Sequence, residues 1–193
     1  MQNIYIEICY IYSNKILQTA HMLSDSVEQF LQSKLFLGTP VQGKNTQKLK
    51  PWYNFLYVAD LRDAVKIGIT VDISRRNEEI NKNDAMIKYM WNMPTNMEVE
   101  AFVKVILANF TKKYTNQKYR TEIFYLPITP FILFVRIAIL YIFLKKQYIP
   151  IGDNQRLLDT LDAYLNRARL QQIKYNDYIY RQQDNSTLKK KMA

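Results

Sequence analysis

The chain has one cysteine (Cys9), one histidine (His21), four glycines and six prolines in 193 residues. One cysteine excludes a disulfide framework, and one of each excludes a zinc ribbon or a multi-histidine metal centre. So few glycines leave no material for a Gly-rich phosphate loop, and the low glycine and proline content argues against collagen-like or low-complexity sequence. Cysteine–histidine nucleophilic catalysis would require the two single residues to meet. Any catalysis therefore falls to tyrosine, lysine, arginine and carboxylates. What the chain has in quantity is apolar and aromatic surface, 48% hydrophobic and 13% aromatic residues. That suffices for a packed core in one domain with extensions, or in two small ones.

Acidic residues are also in deficit, and the formal net charge is +10. The excess is uneven. Residues 51–128 carry 11 basic and 9 acidic groups, whereas residues 129–193 carry 11 and 5. A polyanion is the natural partner for such a balance, either nucleic acid or an acidic membrane surface.

Residues 1–14 contain the alternation Ile4, Ile6, Ile8, which reads as a short strand, and lack the basic n-region and small-residue cleavage site of a signal peptide. Residues 15–37 read as helical, with Asp25 and Glu28 forming a capping-box start. The polar stretch from Gly38 to Pro51, broken by Gly38, Pro40 and Gly43, reads as a linker. Beyond it, NFLYVA and VKIGIT flank a short polar turn around Asp60–Asp63 and predict a hairpin. Asp72 or Ser74 then caps a helix, MIKYMWNM supplies a third strand, and Val99, Phe102, Val103, Ile106, Leu107 and Phe110 mark an amphipathic helix over Glu98–Tyr114. RTEIFYL, residues 120–126, reads as a short strand or extended segment.

Residues 123–144 are long and apolar enough to raise a transmembrane reading. Pro127 and Pro130 shorten the helical part, and Arg136 near its centre is costly in lipid. A buried core helix with Arg136 pointing outward is the expectation, and membrane attachment the alternative. From Asp153, the leucines 157, 158, 161 and 165 mark a last amphipathic helix, followed by a polar tail with three consecutive lysines.

One ordered set in the middle of the chain carries chemistry. Tyr57 lies on a first strand, Lys66-Ile67-Gly68 on a second, Arg76 on the next helix eight residues after the glycine, Glu98 or Glu100 on a later helix, and Arg120–Phe124 closes the set. The order LYV, VKIGIT, SRR, EVEAF, TEIF resembles the GIY-YIG endonuclease superfamily. It is most similar to a branch rich in virus and phage proteins, in which lysine replaces the first tyrosine of Tyr-Ile-Gly. The likeness covers roughly residues 53–127.

The resemblance implies a small α+β fold: a mixed or antiparallel three-stranded sheet flanked by helices, with a helical C-terminal extension. It implies water activation by Tyr57, with Tyr53 as a fallback. Lys66 would aim a cation at the scissile phosphate, Gly68 would permit close approach, and Arg76 would clamp the phosphate. Arg75 cannot face the same way, because adjacent helix positions diverge. One Mg²⁺ or Mn²⁺ would be held by Glu100, with Glu98 as the alternative, and Glu122 would stand beside the site. Arg75, Arg120, Lys112 and Lys113 are the expected nucleic-acid contacts.

These readings divide the chain into an N-terminal strand, helix and linker (1–50), a nuclease core (51–128) and a helical, basic C-terminal region (129–193). The expected activity is metal-dependent hydrolysis of DNA in an intracellular setting or a virion, and a homodimer is compatible with the N-terminal segment. Two alternatives stay open: a catalytically quiet nucleic-acid-binding protein of the same fold, and a structural or membrane-attached protein using residues 123–144 and the tail.

Overall fold

The computed structural model describes residues 25–41, 54–81, 85–108, 122–150, 155–163 and 165–166. The expected strand over residues 1–14, together with Cys9, His21, Tyr53, Lys112, Lys113, Arg120 and the lysine-rich tail, lies outside the described residues.

The elements in chain order are α1 (Asp25–Gln32), α2 (Lys34–Leu37), β1 (Thr39–Pro40), β2 (Phe55–Asp60), β3 (Val65–Thr70), α3 (Ile73–Asn81), β4 (Met86–Asn92), α4 (Asn96–Ile106), β5 (Ile123–Phe124) and α5 (Ile128–Lys145). A further helical stretch covers residues 155–163. The protein is α+β, with one five-stranded sheet in the order β1-β4-β2-β3-β5, every pairing antiparallel.

The expected sheet had three strands, and those three are its centre. β2 and β3 form the hairpin with Asp60 opposite Val65, and β4 pairs on the other side of β2. The turn is tight. Leu61 N–H donates to the Ala64 carbonyl, the Asp60 carboxylate accepts from Arg62 N–H, and Arg62 takes a positive φ of 70°.

The two outer strands are two-residue edges, and β5 falls in the stretch 120–126 expected to be a short strand or extended segment. β1 lies inside the stretch expected to be a linker, where Thr39 and Pro40 pair with Met90 and Tyr89. Proline is tolerated there because one side of an edge strand needs no N–H donor. Gly38, at φ +73°, makes the entry possible, since a Cβ would stand 2.6 Å from the Trp91 ring. β5 pairs Phe124 with Val65 and Ile123 with Lys66.

The expected helix over 15–37 is, in its described part, broken at Ser33. Its hydroxyl donates to the Phe30 carbonyl and accepts from Phe36 N–H, closing one helix and capping the next. Asp72 rather than Ser74 caps α3, its carboxylate accepting from Arg75 N–H at 2.9 Å.

The sheet has unequal faces because successive side chains alternate. Leu56, Val58, Val65, Ile67 and Trp91 join the large core, with Val99 and Val103 of α4, most of α5, and Leu157, Leu158, Leu161 and Leu165. Val27 and Phe30 of α1 enter the same core, so one apolar interior draws on all three segments of the chain. Phe55, Tyr57 and Ala59 face the opposite way. With Ile73, Ile80 and Ile87 they form a smaller cluster under α3. There Asn77 accepts from Ile87 N–H and ties α3 to β4.

α5 is long and apolar enough to cross a membrane by length and composition, and in this fold it is mostly buried. Pro127 caps it, and Arg136 leaves the core as expected. Its guanidinium donates to the Leu37 carbonyl at 2.8 and 3.2 Å and lies over the Tyr89 ring.

Candidate functional site

β5 pairs with the first two residues of β3, and among the described residues the far half of β3 has no partner on that side. Beside it opens a cavity of about 300 Å³, walled by β2 and β3, the start of α3, one face of α4 and Glu122 just before β5. Ile67 N–H donates to the Glu122 carbonyl. Strand N–H groups alternate, so the Ile69 N–H, two residues on, points to the same side of β3, and Ile69 lines the cavity.

Tyr57 and Gly68 are cross-strand partners on this wall. The Tyr57 side chain lies across Gly68 so closely that a Cβ there would stand 2.6 Å from the phenol oxygen. Gly68 is thus the slot that lets the ring lie down beside the cavity. Tyr57 is only 1% exposed. Burial pushes its pKa up to about 12, against the pull of Arg76, so the phenol keeps its proton at neutral pH.

Arg76 lines the cavity from α3, with its guanidinium 5.9 Å from the Tyr57 ring centroid. Glu79, one turn on, holds it through an Nη1–Oε2 contact of 2.8 Å. Arg75 is 69% exposed and does not line the cavity.

α4 contributes Met97, Glu100 and Lys104. Val99 and Val103 anchor the helix in the core, which turns Glu100 and Lys104, four residues apart, together toward the cavity. Glu98 is two positions from Glu100 and faces elsewhere, paired with Lys146. Asn54 completes the rim, its carbonyl accepting from the Asn96 side chain.

The charged groups interlock. Lys104 Nζ sits 3.0 Å from Glu100 Oε1 and 3.2 Å from Glu122 Oε1, and Lys66 Nζ sits 2.9 Å from Glu122 Oε2. Burial alone would pull the Lys104 ammonium down, but its hydrogen bonds to Glu100 and Glu122 outweigh that and raise its pKa. For Glu122 burial acts upward, and the bonds from Lys66 and Lys104 win, holding the carboxyl below the ordinary range. Lys66 does not itself line the cavity; it reaches the site through Glu122.

Of the residues expected from the sequence, Tyr57, Gly68, Arg76, Glu100 and Glu122 meet at one cavity, with Lys66 one contact behind. Glu98 and Arg75 stand apart from it. Lys104 was not foreseen, although its i,i+4 spacing from Glu100 was a readable signal. Its contact with Glu122, eighteen positions away, was not readable.

Among the described residues no three acidic, histidine or cysteine side chains converge as a metal-binding group. A single carboxylate is nevertheless compatible with Mg²⁺ or Mn²⁺, which keep most of their waters. Glu100, 15% exposed at its side chain and bordering an open cavity, fits that description.

No family model, no curated protein and no solved structure matches this chain.

Proposed function

We propose that this protein is a divalent-metal-dependent endonuclease that hydrolyses DNA phosphodiester bonds at the cavity beside β3, with a core of GIY-YIG type. One observation supports the reading above all. Tyr57, Gly68, Arg76, Glu100 and Glu122, separated by up to 65 positions and carried on different elements, border the same cavity of about 300 Å³. They are the residues whose order resembles that superfamily.

In this reading Glu100 holds one Mg²⁺ or Mn²⁺ ion. When bound, the ion lowers the pKa of its water and takes up charge on the phosphate. Arg76, held by Glu79 against the Tyr57 ring, places a guanidinium where the non-bridging oxygens gain charge. Tyr57, protonated at neutral pH, orients the attacking water by hydrogen bonding and does not serve as a phenolate base. Gly68 keeps the phenol oxygen at the cavity wall. Lys66 and Lys104 hold Glu122 and Glu100 in place. The positive charge of the chain supplies salt-sensitive affinity for the DNA backbone.

A second reading has its own observation. Glu100 is already ion-paired with Lys104, and Glu122 with both lysines. A catalytically quiet DNA-binding protein of this fold would keep such an arrangement without using a metal.

Plasmid nicking by the purified protein with Mg²⁺, Mn²⁺ or EDTA separates the two. Metal-dependent nicking that Glu100→Ala lowers at least about 100-fold, with DNA binding within about threefold of wild type, is expected for the nuclease. Binding without nicking under every metal condition would replace it with the quiet binder.

A further inference from the structure

Lys104 is bonded on both sides of its charge. Its ammonium touches Glu100 and Glu122 at 3.0 and 3.2 Å, and it also borders the open cavity. Lys66 differs: among the described residues it pairs with Glu122 only, and it stands behind the wall. Among the described residues, two carboxylates and two ammonium groups thus make a locally neutral cluster. A divalent cation added to that cluster unchanged would meet two positive charges within a few ångströms, which opposes binding even at the dielectric of a protein surface.

Lys104 has a long flexible stem rooted on α4 and an open space beside it. An anionic phosphate entering that space offers the ammonium a new partner and frees the carboxylates for the cation.

We propose that Lys104 is a positioning residue that couples ion binding to substrate binding: its ammonium occupies the carboxylates until the substrate's phosphate draws it away. The inference rests on the metal-dependent reading above. Its consequence is reciprocal: the ion and the phosphate backbone each strengthen binding of the other, because coupling free energy has no direction. The protein without DNA then holds its ion weakly, and a loaded site is confined to the complex.

The test uses the full chain, Mn²⁺ as the ion followed by electron paramagnetic resonance, and a phosphorothioate DNA duplex that keeps its charge and resists cutting. For wild type, adding the duplex is expected to tighten Mn²⁺ binding about tenfold. Lys104→Met is expected to bind Mn²⁺ about tenfold more tightly than wild type without DNA, and to gain less than about twofold from the duplex. Lys104→Arg keeps the charge and is expected to keep the weak affinity. Lys104→Gln serves in place of the methionine variant if that chain does not fold.

If wild type binds Mn²⁺, Glu100→Gln abolishes binding and Lys104→Met or Lys104→Gln leaves the affinity unchanged, the coupling is overturned and the metal reading stands. An unchanged wild-type affinity on adding duplex overturns it equally. If wild type binds no Mn²⁺ with or without duplex, both fall.

Discussion

Tyr57 and Tyr141 are surrounded by the same kinds of group, and the contrast between them separates a brace from a site. Tyr141, on α5, donates to Asp162 at 2.7 Å, and Lys145 closes the triangle by pairing with the same carboxylate at 3.1 Å. Burial, then the bond to Asp162, raises the Tyr141 pKa, while the bonds from Tyr141 and Lys145 outweigh burial to depress that of Asp162. The three groups satisfy one another, and together they fasten the last helical stretch to α5. The Tyr57 hydroxyl makes no hydrogen bond to another described side chain, yet Tyr57 is far more deeply buried and its ring borders a cavity. Its neighbours Glu100 and Glu122 bond to lysines instead. A polar group that borders open space is where a ligand has something to gain.

The largest expected effect lies at the cavity. Arg76→Ala should lower nicking about 100-fold, while Arg75→Ala stays within about threefold. Equal losses would mean that the face of α3 does not matter and that Tyr57 has no special neighbour.

Gly68→Ala comes next. A Cβ 2.6 Å from the Tyr57 oxygen forces the ring out of its slot, at an expected cost of about 1–3 kcal/mol in denaturant unfolding and with loss of nicking. Unaltered activity would break the link between the slot and the site.

Asp162→Asn should act on the brace alone. About 1 kcal/mol of stability is the expected loss, with nicking unchanged. A fall in activity beyond that explained by unfolding would erase the contrast between the two clusters.

The smallest effect appears in alkali. The folded-state pKa of Tyr57 is raised from 10.0 to about 12, so its contribution to stability is complete below pH 10 and is lost as the pH climbs toward 12. Melting temperatures of Tyr57→Phe should therefore fall less steeply than wild type across that window. Parallel curves would deny Tyr57 its burial-driven shift.

Much of the centre of the molecule was legible from local pattern. The β-rich runs on either side of Asp60–Asp63, the cap at Asp72 and the spacing of Val99, Val103 and Ile106 each report structure decided within a few residues. β1 was hidden because Gly38 and Pro40 read as breakers, and only the Trp91 ring and the β4 edge make them a strand entry. The choice between Glu98 and Glu100 turned on which face of α4 the core would claim, a matter of packing. Lys104 looked like one more solvated lysine because its second partner, Glu122, lies across the sheet edge and not on its own helix.

The acidic wall of the cavity is fastened at the edge of the described sheet. β5 meets β3 through two residues, and the Glu122 carbonyl reaches Ile67 N–H at 3.1 Å. Phe124 is fully buried and packs on Phe131, and Lys66 and Lys104 hold the Glu122 carboxylate, so backbone, core and ion pairs all meet at this edge. Amide exchange would read this edge directly: the Ile67 amide, bonded to Glu122, is expected to exchange sooner than that of Val58 on the central strand. A ligand that bridges Glu122 to α4 would slow Ile67 alone, which makes that amide a direct reporter of occupancy.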